Sequence, residues 1–519
     1  MLDVLEWVKK RIDETAGPRG AAPAAADTLP DQLSADPATA LAELRVRLRA
    51  EGGGAGDAVA RSARLAAIQD AGAPHVAALL TQYFVNAAGT LAAREAAWKS
   101  LIGYQLRVAQ AQCAQAAAQL NAASAVRALQ ACRMLAKLHL VHYATVPGGL
   151  WQAAYSIHAS AEKAGCAAAP VRAQSGQRTM TSVEQELLCM VMLRVSAPDM
   201  LAPEQIEIAD RIVEQLGAEL TLRQPGVTDN PFCFEPGSEY APRRAKGRLP
   251  AASARYFGPG MGYASLERLG RQAGAGRLED FKAFGKDIAP RVQLSTLQHL
   301  LTFWRADCPY APPVHEPAGG RLQVVHGYAR IWQYLADVHH GASELSLADA
   351  SAAGQPAETW ELKGAGGNEL GAEVPQASRS WVKCGGAVGF AQGDGARCVG
   401  MIRRMHASPD GGLQADIAVL SREPHEVSLR AVIRKYDDSV FSDASSRQFA
   451  GNTVHAIILS DGAGGTQPPN LLLPPEEWHE GRVYEVQSKE GTRFLRSLQA
   501  VRRWDDYVRA TFEWLAVPD

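Results

Sequence analysis

A chain of 519 residues exceeds what one hydrophobic core can organise, so roughly two to four domains are expected. Hydrophobic residues make up 47% of it, an ordinary globular share that excludes wholesale disorder. With 53 Lys and Arg against 55 Asp and Glu, the formal net charge of -2 argues against a surface built for bulk nucleic-acid binding.

The chain opens on "MLDVLEWVKKRIDETAG", where Leu2, Leu5 and Val8 mark one face of a short amphipathic helix. Charges interrupt its apolar positions, so no secretory leader is expected, and no uncharged run reaches membrane-spanning length. The expected location is the cytoplasm, without membrane insertion. An Ala-, Pro- and Gly-rich stretch follows and reads as a flexible linker, closing a first segment over residues 1–38.

Residues 39–222 carry helical periodicity throughout and predict an α-helical scaffold, either a solenoid or a bundle. In "AVRALQACRMLAKLHLVHY", Ala131, Met134, Leu135, Leu138 and Val141 share one face. "VEQELLCMVMLR" is apolar nearly all round, the mark of a helix buried on most sides. "APEQIEIADRIVEQLG" is a complete helix, with Pro203 at its start, a stripe of Ile206, Ala209, Val213 and Leu216, and Gly217 as its stop.

Residues 223–320 form a mixed connecting region: Pro, Gly and charge with one or two short strands, then a smaller helical segment. From 321 to 519 the period falls to two. "CVGMIRRM", a turn centred on Asp410-Gly411, and "LQADIAVLS" read as a hairpin. "EVSLRAVIRKY" puts Val427, Leu429, Ala431 and Ile433 on one side. Short antiparallel strands at this spacing predict one small closed barrel or a pair, over about 321–435 and 450–500. A terminal helix is expected in "VRRWDDYVRATFEWL", from Trp504, Val508, Phe512 and Leu515 at helical spacing. The fold class is therefore α+β and multidomain, all-α at the N-terminus and antiparallel β-barrel at the C-terminus.

Eight cysteines are scattered without a C-x-x-C pair, so free thiols are expected rather than a zinc site. His339 and His340 diverge by about 100° on a helix and suit one metal poorly. "GPGMG" and "SDGAGG" lack the GK[ST] ending of a phosphate loop. In "APRRAKGR", Arg243, Arg244, Lys246 and Arg248 form the densest basic run, read as a solvated connection that could touch phosphate. On a regular strand Arg403 and Arg404 would point to opposite faces. No metal and no cofactor is expected.

"WELKGAGGNELGAEVPQ", residues 360–376, turns through glycines between two alternating stretches. Aligned to D/N-x-S-x-x-G with Gly371 as the last glycine, and followed by "VGMIRR" and "AVLSREPHEVSLR", it resembles the PilZ family of cyclic di-GMP-binding β-barrels. The resemblance spans the last third of the chain. It implies that arginines grip phosphates and guanines, and that a tight Asp/Ser loop holds base and sugar. Gly366 stands where the family has Asp or Asn and Asn368 where it has Ser; only Gly371 matches. The family's R-x-x-x-R run has no counterpart beyond Arg321, with Arg330 too far on. The candidate ligand residues are Arg321, Gly366, Asn368, Gly371, Arg403 and Arg404.

The expected function is a non-catalytic signalling adaptor with a helical scaffold for an unidentified protein partner and a barrel whose cyclic di-GMP loop is degenerate. Two alternatives stay open. One is a working cyclic di-GMP receptor with an atypical site. The other is an enzyme with a site around 225–320 that uses His299, Asp307, His315 and Glu316.

Overall fold

The computed structural model describes residues 33–53, 57–85, 90–172, 180–224, 230–245, 253–275, 289–310, 315–340, 357–393, 395–408, 410–433, 448–460, 469–488, 491–504 and 506–515. The expected opening helix over residues 2–8, Lys246 and Arg248, most of "SDGAGG", and the side chains of His339 and His340 lie outside the described residues. The chain divides into two compact units, Met1–Ala311 and Pro312–Asp519.

The first unit is built on α1 (Pro37–Gly53), α2 (Ala58–Val85), α3 (Leu91–Ala118), α4 (Ala122–Val141), α5 (Gly148–Lys163), α6 (Val183–Val195) and α7 (Pro203–Gln215). Its helices begin where a side chain can satisfy the open N–H groups: Asn121 accepts from Ser124 N in a reciprocal capping box, and Ser182 accepts from Gln185 N. α4 packs against α3, α5, α6 and α7, so this is a bundle around a central helix rather than a solenoid.

The chain then forms a small antiparallel sheet from β1 (Thr221–Arg223), β2 (Phe232–Phe234), β3 (Arg243–Arg244) and β4 (Arg255–Gly258), in the order β1-β4-β2-β3. α8 (Gly262–Gly274) and α9 (Pro290–Trp304) complete the unit. The glycine run before α8 is structural. Gly260 has φ +52, and a Cβ there would come within 2.5 Å of the Glu219 carbonyl oxygen.

The second unit contains two barrels. β5 (Glu316–Pro317), β6 (Arg321–His326), α10 (Tyr328–His340), β7 (Glu358–Gly366), β8 (Glu369–Val374), β9 (Ala387–Gln392), β10 (Cys398–Ala407) and β11 (Leu413–Ser421) make the first. Its sheet runs β5-β7-β6-β9-β10-β11-β8, and pairing of β7 with β8 closes the ring, which leaves no free edge around the β6-to-β11 circuit. β12 (Glu423–Ile433), β13 (Gln448–Ser460), β14 (Asn470–Leu473), β15 (Val483–Ser488), β16 (Gly491–Arg503) and β17 (Val508–Leu515) form a second closed barrel, ordered β12-β13-β14-β17-β16-β15.

The boundary between barrels is Arg422, so the strand in "EVSLRAVIRKY" opens the second barrel instead of ending the first. α10 bridges the two. Tyr328, Ile331 and Leu335 join one buried cluster with Ala387 and Val399 of the first barrel and Ile457, Leu459 and Leu472 of the second. The Tyr328 hydroxyl lies 2.9 Å from both the His455 and the Leu472 carbonyl oxygens.

The expected terminal helix is a strand, β17, paired with β16 along its length. Trp504, Val508 and Phe512 are four apart, which fits one helix face and equally one strand face. The neighbours decide: Val508, Ala510 and Phe512 are buried while Arg509, Thr511 and Glu513 between them are not.

Candidate functional site

The "GAGGNELG" stretch is the hairpin between β7 and β8. Gly366 pairs with Glu369, leaving a two-residue loop of Gly367 and Asn368. Gly367 has φ +56 at the first central position, where a II′ hairpin turn requires glycine. Asn368 contributes a backbone carbonyl, which accepts from Val419 N at 2.8 Å. Leu370, Ala372 and Val374 of β8 turn inward, so Glu369, Gly371 and Glu373 face outward.

Gly371 is opposite Gly364 on β7 and Asp416 on β11, and Asp416 is opposite Arg404 on β10. His315, just before β5, lies over this register row. A Cβ on Gly364 would stand 2.8 Å from the His315 Cβ, and one on Gly371 would stand 2.9 Å from its Nδ1. The two glycines thus form a channel for an imidazole, whose Nδ1 is 3.7 Å from Asp416 Oδ1. The matching glycine of the motif is occupied by the chain itself.

Arg403 and Arg404 do not point to opposite faces. A β-bulge lies between Ile402 and Arg404, and both Ile402 and Met405 are buried although three residues apart. That shift places both arginines on the outer face. Arg403 forms an ion pair with Glu369, and Arg404 faces Asp416. Arg321, at the start of β6, is opposite Glu361 on a neighbouring row.

The hairpin face therefore gathers Gly371, Arg403 and Arg404 of the sequence candidates. It leaves Gly366 and Asn368 in the turn and Arg321 to one side. His315, Glu369, His406 and Asp416 complete it, and motif reading did not bring these four together. The available signal was Asp416 itself, a carboxylate set between Ala415 and Ile417 in an otherwise apolar strand; it is 2% exposed.

Burial pushes the Asp416 carboxyl above its usual range, against the pull of His406, His315 and Arg404, and Glu369 adds to the push. His406 Nε2 is 3.2 Å from Gln414 Oε1. His315 Nε2, His406 Nδ1 and Glu369 Oε2 are buried without a hydrogen-bond partner. The face is thus polar, mixed in charge and covered by the His315 imidazole.

Gly371→Ala tests the channel. The added methyl must displace the imidazole from Asp416, at a cost of about 1–3 kcal/mol by overpacking. Urea denaturation reads the cost and the His315 ring resonances read the displacement. A His315 environment identical to wild type would show that the glycine serves the strand alone.

The remaining candidates have structural employment. Arg244 donates to the carbonyl oxygens of Phe303, Arg305 and Ala306 at the end of α9 and sits 4.8 Å over the Phe232 ring. His299 is buried with Nε2 2.7 Å from the Ser196 carbonyl oxygen, and Asp307 pairs with Arg305 at the surface. His315 and Glu316 belong to the barrel unit. All eight cysteines are free thiols, and among the described residues no group of three or more His, Cys, Asp or Glu could hold a metal. Among them, too, no helix is long and apolar enough to cross a membrane.

Residues 23–226 match the family model described as the N-terminal domain of the cyclic-di-GMP receptor FimW. The match falls on the helical bundle and not on the C-terminal third, which carries the PilZ-like stretch. No curated protein and no solved structure matches the chain.

Proposed function

We propose that this chain is a cyclic di-GMP-responsive signalling protein that passes its ligand state to a protein partner and transforms no substrate. The observation that carries this reading is the likeness of residues 23–226 to the N-terminal domain of a cyclic di-GMP receptor. It meets the resemblance of the barrel region to PilZ domains, carried by "GAGGNELG" and the strands after it. Two unlinked parts of the chain thus point to one second messenger.

In this reading the helical bundle is the partner-binding scaffold and the barrels form the sensing unit. The hairpin face is an altered ligand face. Its Asp and Ser positions hold Gly366 and Asn368, and His315 lies where a ligand would approach Gly371. A second reading follows from that covering: the hairpin has lost its ligand and the barrel now serves as a protein-binding surface.

Calorimetric titration of cyclic di-GMP into the full chain, beside His315→Ala, separates them. Micromolar binding that strengthens in the variant places the nucleotide on the hairpin face beneath the imidazole. Binding unchanged by the variant keeps the receptor reading and moves the nucleotide elsewhere. No heat in either protein would sink the receptor reading in favour of the adaptor.

A further inference from the structure

A second polar place in the barrel unit is unexplained by folding. Arg502 on β16 and Arg509 on β17 are direct cross-strand partners, so two guanidinium groups share one face of the ladder. Like charges so placed destabilise a sheet. Among the described residues neither arginine forms an ion pair, although Asp506 lies close by in sequence. Arg509 Nε donates to Asn470 Oδ1 at 3.1 Å, which fixes its direction and leaves its charge intact. Arg502 has its guanidinium carbon 5.6 Å from the centre of the Trp504 ring.

Trp504 and Tyr507, beside the pair, are tied to each other and to the first barrel. Trp504 N donates to Tyr507 O at 2.9 Å, and the two rings stack with centroids 4.6 Å apart. The Tyr507 hydroxyl donates to the Gly385 carbonyl at 3.0 Å, and Gly385 N donates to Ile402 O at 2.7 Å. Arg403 is the next residue along β10, so the same contacts bring a third guanidinium toward the pair; its charge is met by Glu369. Burial acts first against the charge on Arg502; Arg403 and Arg509 act the same way, and Tyr507 opposes them.

We infer that Arg502 and Arg509, with Arg403 beside them, form a phosphate-binding site at the junction of the two barrels. Planar guanidinium forks bind phosphate oxygens in pairs, and a bound phosphate removes the repulsion that the empty pair carries. The Arg502 and Arg509 pair lies outside the hairpin face, and Arg403, paired with Glu369, stands between the two. Assigning the site's phosphate to the diester of cyclic di-GMP rests on the receptor reading above; the anion site does not.

The experiment uses the full chain, Arg502→Gln and Arg502→Lys. Melting curves are compared in inorganic phosphate and in chloride at equal ionic strength, and cyclic di-GMP is titrated into each protein. Wild type is expected to melt about 2 °C higher in millimolar phosphate than in chloride. Arg502→Gln should lose that difference while melting no lower than wild type in chloride, and Arg502→Lys should keep part of it.

Equal phosphate response in wild type and Arg502→Gln would overturn the site. A lower melting point of Arg502→Gln in chloride would overturn it too, by showing the arginine to be structural. Cyclic di-GMP affinity should fall about tenfold to a hundredfold in Arg502→Gln. A phosphate response without any cyclic di-GMP binding would uphold the anion site and defeat the receptor reading alone. Unchanged cyclic di-GMP affinity in Arg502→Gln would defeat the assignment of the site's phosphate to that nucleotide.

Discussion

Asp210→Ala is expected to destabilise the helical unit by about 3–5 kcal/mol, because it leaves two buried cations without their shared anion. Arg133 and Lys137, one turn apart on α4, are 8% and 4% exposed, and Asp210 on α7 is 5% exposed. Arg133 Nη2 lies 2.7 Å from Asp210 Oδ1, and Lys137 Nζ lies 2.9 Å from Oδ2. Glu207 gives Lys137 a second carboxylate at 3.0 Å. Glu214 also reaches Arg133 at 3.0 Å, yet its side chain is 65% exposed, so Glu214→Ala should cost about 0–1 kcal/mol. Urea denaturation of the two variants checks the contrast. Equal losses would show that solvent reaches the network.

The same carboxylate sets an acid limit. Burial alone would raise the Asp210 pKa, but Arg133 and Lys137 outweigh it and hold the group at about 2, against an ordinary 3.8. A folded pKa below the unfolded one means that the stabilisation is complete above the unfolded value. It is lost as the pH falls from about 4 toward about 2, and amounts to about 2–3 kcal/mol. Glu186, also beside Arg133, runs the other way. Burial raises its pKa, so its contribution is present below its ordinary 4.5 and fades as the pH rises through the folded value. In Asp210→Asn the acid-dependent loss below about pH 4 should shrink, and acid titration of the unfolding midpoint reads it.

This network was not legible as helical periodicity. The stripe read on α4 ran through Met134, which is partly exposed, and passed over Arg133 and Lys137, which are buried. A central helix has neighbours on every side, so its polar face is buried too and must find partners. Hydrophobic period locates the helix but says nothing of what surrounds it. The complete helix from Pro203 was legible because its start, stripe and stop agree.

The barrels were legible as alternation and their closure was not, since β7 pairing with β8 is a matter of register. Trp504, Val508 and Phe512 misled because a spacing of four satisfies both periods. At the candidate site, the hairpin and Gly371 could be read from the turn chemistry. The bulge that turns Arg403 and Arg404 to one face could not, and neither could the return of His315 across the sheet. Both depend on contacts between residues far apart in sequence.

Gly385→Ala should cost about 2–5 kcal/mol and act on the junction between the barrels. Gly385 has φ +87, where an L side chain costs about 1–2 kcal/mol. The new Cβ would also stand 2.2 Å from Trp504 Nε1 and 2.4 Å from its Cδ1, an overlap that adds about 1–3 kcal/mol once the indole shifts. Trp504 cannot shift alone, because it stacks on Tyr507, which is fully buried with its hydroxyl on the Gly385 carbonyl. A Trp504→Ala, Gly385→Ala double variant divides the cost. The overlap disappears and the backbone strain stays, so Gly385→Ala should be milder in the Trp504→Ala background than alone. If the glycine substitution costs the same in both backgrounds, the indole contact contributes nothing and the positive φ carries the whole penalty. The single variant should also lose the phosphate-dependent stabilisation assigned to Arg502 and Arg509, because the turn that carries Trp504 and Tyr507 fixes where those guanidinium groups meet.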